Sequence, residues 1–146
     1  KQYRVILLSN NEQNTTSLPL LPDNMTLHRF INVPSILPLC DIALIAGDLN
    51  TMIEGIQALL PALVYVRSAT ADSELRIKQY INHGLGIYSE TKKITPKMFE
   101  QQINRIIQNK NEMHEKLQKT KNTFEDENEQ MKQTIECLVK WIEECI

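Results

Sequence analysis

A chain of 146 residues is long enough to bury one core, and 42% hydrophobic with 23% charged residues is the balance of a globular domain rather than a disordered segment. The formal net charge of −2 gives no electrostatic case for nucleic acid or an anionic membrane surface. No apolar run approaches the roughly 18–20 residues of a spanning helix, and Cys40, Cys137 and Cys145 form no CxxC pair, which excludes the usual zinc spacings and a disulfide framework.

The first residues, Lys1-Gln2-Tyr3-Arg4, run straight into the apolar stretch "YRVILL" (3–8), which reads as a buried strand. No signal peptide is visible, and so abrupt a start reads as that of a fragment. Residues 9–24 are a polar loop punctuated by prolines, and it carries the sequons at Asn14 and Asn24, which matter only in a secreted chain; the compartment stays open. "MTLHRF" (25–30) alternates as a second strand, and "VPSILPLC" leaves room for at most one helical turn between its prolines.

"DIALIAG" (41–47) reads as a strand apolar on both faces, the mark of a parallel sheet covered by helices. "NTMIEGIQALL" follows as a helix, with Met52, Ile53, Ile56 and Leu59/Leu60 at spacings of three and four and Pro61 ending it. "ALVYVRS" (62–68) is the next strand. "DSELRIKQYINH" (72–83) is the next helix, capped by Asp72 or Ser73 and stopped by Gly84. "LGIYS" (85–89) is a short last strand. Beyond it Thr95 is a good N-cap and Pro96 suits the first helical position. Met98, Phe99, Ile103, Ile106 and Ile107 mark one helical face; a charged stretch (110–130) reads as a solvated helical face; Met131, Ile135, Leu138, Ile142 and Ile146 line a final helix.

Alternating strands and helices of this length predict an α/β fold, a Rossmann-like parallel sheet flanked by helices and followed by C-terminal helices. The lobe is placed over residues 1–94, with helices 95–146 packing on it. Ligands in such folds sit outside the carboxyl ends of the strands, here near residues 32–35, 46–51 and 68–73. His28, His83 and His114 are isolated and read as surface or packing residues, and no P-loop, glycine-rich dinucleotide fingerprint, nucleophile elbow or metal cluster occurs.

The order "LPDNMTLHRFINVPSILPLCDIALIAG", "NTMIEG", "P.LVYV....D", "GLGIY" resembles the C-terminal, donor-binding lobe of the GT-B glycosyltransferases, in particular the UDP-glycosyltransferases. The closing "LVKWIEECI" is similar to that family's last helix. The resemblance covers about residues 3–146, and its specific part is the register of Asp41, Asn50/Thr51, Glu54, Pro61, Asp72 and Gly84/Gly86. It implies a UDP-sugar as donor substrate, no cofactor and no metal. The run His-Gly-Gly-x-Asn-Ser/Thr-x-x-x-Glu, which holds the diphosphate and ribose in that family, is represented by Gly47, Asn50, Thr51 and Glu54. Ala46 stands for the histidine and Asp48 for the second glycine. Of the Asp-Gln pair that grips the sugar, Asp72 is present and Ser73 replaces the glutamine; Ser68 replaces a proline, and the aromatic platform falls on Asn32, before Pro34-Ser35.

The resemblance thus assigns Gly47, Asp48, Asn50, Thr51, Glu54, Asp72 and Ser73 to the donor site and no catalytic residue to this chain, because the family's base lies on its N-terminal, acceptor lobe. The lobe's usual first strand, which carries Gly-Ser at the middle of the sheet, is not seen before Lys1; the same chain or a second one is expected to supply it. An aspartate beside a diphosphate would need a cation, Arg67 or Arg76 among the candidates, whereas the same aspartate as an N-cap is favourable by about 1 kcal/mol. Three readings stay open: the donor half of a glycosyltransferase, the same fold kept as an inactive interaction or scaffold module, and an enzyme with a changed ligand.

Overall fold

The computed structural model describes residues 3–8, 20–29, 31–66, 70–90 and 95–144. Arg67, Ser68, Cys145 and Ile146, much of the 9–24 loop with Asn14, and the side chains of Leu138 and Ile142 lie outside what is described. The chain folds as two compact units, Lys1–Ile36 and Leu37–Ile146.

In the first unit β1 (Val5–Leu8) and β2 (Met25–His28) pair in parallel, with Val5 opposite Met25 and Leu8 opposite His28. Asn24 fastens their start: its side-chain amide donates to the Tyr3 carbonyl at 2.8 Å, and its own carbonyl accepts from Val5 N–H at 2.9 Å. The expectation of a buried strand at 3–8 is corrected. Val5 and Leu7 are half-buried, but Ile6 and Leu8 are 42% and 47% exposed. The single helical turn expected before Cys40 is α1 (Val33–Ile36), followed directly by a 3₁₀ turn, Leu37–Leu39.

The second unit holds a parallel sheet in the order β3 (Ala43–Ile45), β4 (Ala62–Val66), β5 (Gly86–Glu90). Ala43 lies opposite Ala62, and Ala62 opposite Gly86. Such parallel strands require crossovers, here α2 (Leu49–Gln57) and α3 (Ala71–Asn82). β4 is central, and its first three residues, Ala62, Leu63 and Val64, have no exposed surface. One sheet face packs Ala43, Ile45 and Val64 against Met52 and Ile56 of α2 and Ile77 and Tyr80 of α3. The other packs Leu63 against Ile106 of α4 (Pro96–Gln108) and Met113 of α5 (Lys110–Glu144). The strand at 41–47 was expected to be covered on both faces. Instead Leu44 is 56% exposed, because β3 is an outer strand of this sheet and Ile106 sits over its neighbour.

Both crossover helices end in the same closure. In α2 the Leu60 N–H donates to Gly55 O at 2.9 Å and Leu59 N–H to Ile56 O at 3.0 Å; in α3 Leu85 reaches Tyr80 and Gly84 reaches Ile81. These are Schellman pairings, which need a left-handed residue after the cap. Gly84 meets that at φ +71, as expected, but α2 uses Leu59 at φ 56. The helix therefore stops at Gln57 and not at Leu60 before Pro61. The α3 cap also differs from expectation: Thr70, rather than Asp72 or Ser73, is the N-cap, closing a capping box with Ser73.

Thr95 caps α4 as expected, accepting from Met98 N–H at 3.2 Å, with Pro96 in the first turn. The apolar face is narrower than the five residues named. Ile106 is buried and Ile103 packs beside it, whereas Met98, Phe99 and Ile107 stay exposed. Residues 110–144 form one helix. Met113 belongs to the core on the Leu63 face and Leu117, one turn later, to the core on the opposite face. α5 thus crosses from one layer to the other past the amino ends of the strands, where Lys110 pairs with Asp41 and the Lys116 stem lies over Gly84. Met131 and Ile135, expected to line a packed helix, are exposed.

Candidate functional site

β3 and β4 run side by side in the same direction, so α2 and α3 both begin at the carboxyl edge of the sheet. The segment joining β3 to α2 is built around Gly47, which is buried at φ +84. A Cβ there would lie 2.9 Å from Ile77 Cδ1 of α3 and 3.3 Å from Val66 Cγ2 of β4. Glycine is thus required twice, for the left-handed backbone and for the close approach of α3. It sets the height at which α2 starts beside the next crossover.

Asp48 is the N-cap of α2. Its Oδ1 accepts from the Thr51 N–H at 3.0 Å and its Oδ2 from the Thr51 hydroxyl at 2.6 Å. Burial pushes this carboxyl up, but the Thr51 hydroxyl and the backbone N–H groups of Thr51, Asp48 and Asn50 outweigh it and hold it below the ordinary value of 3.8. A helix start offers free N–H groups and a positive dipole end to any anion. Here the chain's own carboxylate takes them. Among the described residues no lysine or arginine forms an ion pair with Asp48.

Asn50 and Thr51 occupy the first turn of α2, and Glu54, half-buried, follows one turn later on the same side. At the start of α3 Asp72 is exposed. The Ser73 hydroxyl is committed to the cap, accepting from Thr70 N–H at 2.8 Å and donating to Thr70 O at 2.9 Å. Ile77, which touches Gly47, sits one turn below Ser73. The α2 turn and the α3 start are therefore adjacent at one edge, while Asn32 and Pro34 belong to the first unit. Thr70 was missed by sequence reasoning, although the spacing Thr70-x-x-Ser73 was a readable signal for it. Among the described residues no group of three His, Cys, Asp or Glu is arranged to hold a metal, and no helix is long and apolar enough to cross a membrane.

No protein-family model and no curated protein sequence matches the chain. Solved structures do. The glycotransferase of kitacinnamycin superposes with a TM-score of 0.66 at 14% identity, over 78% of this chain and 37% of its own. VinC, a glycosyltransferase solved in complex with DTDP, gives 0.66 at 16% identity, over 80% and 36%. The forosaminyltransferase SpnP gives 0.64 at 18% identity, over 78% and 28%. The chain spans about a third of the length of these proteins. At such identities the likeness is one of fold, and the fold is that of one GT-B glycosyltransferase lobe, as the motif order had implied.

Proposed function

We propose that this GT-B-type lobe is the donor-binding half of a glycosyltransferase. It would present a nucleotide diphosphate sugar, with UDP as the expected nucleotide, to an acceptor held by another lobe. The observation that supports this is the turn from β3 into α2. A buried glycine at φ +84 opens a helix N-terminus at the carboxyl edge of a parallel sheet, with Asn50, Thr51 and Glu54 on its first turns. In this reading Gly47, Asp48, Asn50 and Thr51 border the diphosphate, Glu54 takes the ribose hydroxyls, and Asp72 and Ser73 face the sugar. VinC is described in complex with DTDP, a nucleoside diphosphate of the same class. In the reaction the acceptor oxygen bonds to the anomeric carbon as its bond to the diphosphate breaks, and the acceptor's proton passes to a base outside these residues. This chain's part is to position the donor and stabilise the leaving diphosphate.

A second reading has its own observation. Asp48 already engages the Thr51 N–H and hydroxyl, the donors an anionic ligand would use. A second anion about 4 Å away meets repulsion of roughly 1–4 kcal/mol, depending on how much water screens it. A lobe whose turn is closed by its own carboxylate suits an inactive interaction or scaffold module. Calorimetric titration with UDP, UDP-sugars and DTDP, with and without magnesium, separates the two. Micromolar binding that Glu54→Ala or Thr51→Val weakens at least about tenfold supports the donor half. Binding seen only in Asp48→Gly, which keeps most of the cap energy, supports the scaffold. Binding in neither protein removes the donor reading.

A further inference from the structure

The outer half of α5 is exposed but not featureless. Phe124, Met131 and Ile135 recur at spacings of seven and four, which places them on one helix face. That face continues the row of Met113 and Leu117, the two residues by which the first half reaches the core. Charge divides the helix too. From 116 to 121 the charged residues are Lys116, Lys119 and Lys121; from 125 to 129 they are Glu125, Asp126, Glu127 and Glu129. Like charges three and four apart, as in Asp126 with Glu129 and Glu125 with Glu129, destabilise a free helix. Lys121 approaches Glu125 at 3.9 Å, whereas Asp126, Glu127, Glu129 and Lys119 form no ion pair among the described residues.

Beside the first half of α5 lies a complementary surface. α2, α3 and α5 leave a cleft of about 680 Å³ between them. Met52, Ile53, Ile56 and Leu85 give it apolar walls, and its basic side chains, Lys116 and Lys119 among them, are accompanied by no aspartate or glutamate. Phe124 belongs both to this lining and to the exposed row. One chain therefore carries an acidic helix with an apolar face and, at the root of that helix, a basic groove with apolar walls. It cannot join them itself: α5 is a single helix from Lys110 to Glu144, so its outer half cannot fold back on the groove that its first half lines.

We propose that the protein pairs with a second copy of itself, the outer half of α5 of each copy lying in the cleft of the other. The two α5 helices run antiparallel and cross near Phe124. Met131 and Ile135 of one copy meet the apolar walls of the other, and the block 125–129 faces the second copy's Lys116 and Lys119. Every contact occurs twice, so the arrangement closes at two copies. Parallel pairing of the outer halves sets acid block against acid block. An acidic helix from another protein fills the groove but leaves this chain's own outer helix bare, whereas a second copy matches both surfaces. The contact is small, so the dimer is weak, with a dissociation constant on the order of 10–100 μM, and dilute protein is monomeric. The pairing does not depend on the donor reading of the α2 turn.

The test is sedimentation velocity from micromolar to near-millimolar protein. A reversible shift from the 16.9 kDa species to one of twice that mass is expected, weakened by added salt. Met131→Gln with Ile135→Gln should weaken association at least about tenfold. Lys119→Glu and Glu127→Lys should each weaken it several-fold, and an equimolar mixture of those two variants should associate as the wild type does, because each cleft then meets a helix of opposite charge. All four positions are exposed, so the melting temperature of dilute protein stays unchanged and a lost dimer is not a lost fold. Amide exchange at 125–137 should slow as concentration rises. The proposal is overturned by a monomer at every concentration, by association that the glutamine variant leaves intact, or by a mixture no better than its components. Tighter association of Glu127→Lys alone overturns it in favour of parallel pairing.

Discussion

Gly47 and Asp48 do different work at adjacent positions. Gly47→Ala forces a side chain into a left-handed backbone and against Ile77 Cδ1 at 2.9 Å. A loss of about 2–4 kcal/mol is expected in denaturant unfolding. Ile77→Val removes that Cδ1 but not Cγ1 at 3.1 Å, so in a double-mutant cycle it should relieve part of the contact loss and leave the backbone part. An additive pair would disprove the contact. Asp48→Ala removes the cap of α2 and should cost about 1 kcal/mol. Its folded carboxyl is more acidic than the free one, so the cap's extra stabilisation is fully present above the ordinary value of 3.8 and lost as the pH falls through the lower folded value. Unfolding of wild type and variant across pH 2–7 should therefore converge at the acidic end; curves that stay parallel would place the charge elsewhere.

At the scale of elements, α5 is two helices in one. Its first part is nailed to the core: Leu117 is completely buried and Met113 nearly so. Leu117→Ala is expected to cost about 2–5 kcal/mol, whereas Ile135→Ala, at an exposed position, should change stability by no more than about 0.5 kcal/mol. Residues 122–137 are exposed throughout, so little tertiary packing holds this stretch of helix. Amide exchange should accordingly be slow around 113–117 and near the unprotected rate at 125–137. Equal protection along the helix would mean that something covers its outer half. The apolar positions Met131 and Ile135 read as one periodic set with Leu138, Ile142 and Ile146; only the position of the sheet decides that burial ends near Thr120.

For the whole molecule, the two units differ in what holds them. The first contains one parallel strand pair, and its strands leave Ile6 and Leu8 uncovered. A lone two-stranded sheet is at best marginally stable in water. The second has three strands with helices on both faces and two hydrophobic clusters. A fragment of residues 37–146 is therefore expected to unfold cooperatively by circular dichroism, while a fragment of residues 1–36 shows no folded baseline. A cooperative transition in the short fragment would show that local packing there has been undervalued.

Much of this architecture is legible because it rests on local chemistry. The compact run 62–66 marks the central strand, Thr95-Pro96 opens α4, Gly84 ends α3, and the motif order implies the GT-B lobe. Asp48 could be named as a helix cap before any coordinates, since an aspartate preceding an amphipathic run has its acceptor and the first-turn N–H groups within reach. Other features follow from residues distant in sequence. Leu59 takes a glycine-like conformation at φ 56 where the chain turns from α2 toward β4, and no spacing rule anticipates it. Leu44 is exposed because the helix over Leu63 does not extend to its strand. Likewise α3 and α5 are separated by β5 and α4 in the chain, and only the folded sheet places residues of both along one cleft. Sequence alone determined which segments would be strands and helices and what kind of fold they build, because periodicity and capping act within a few residues. Tertiary structure decided which apolar faces are covered and where a cavity remains, because those depend on how far each neighbouring element reaches.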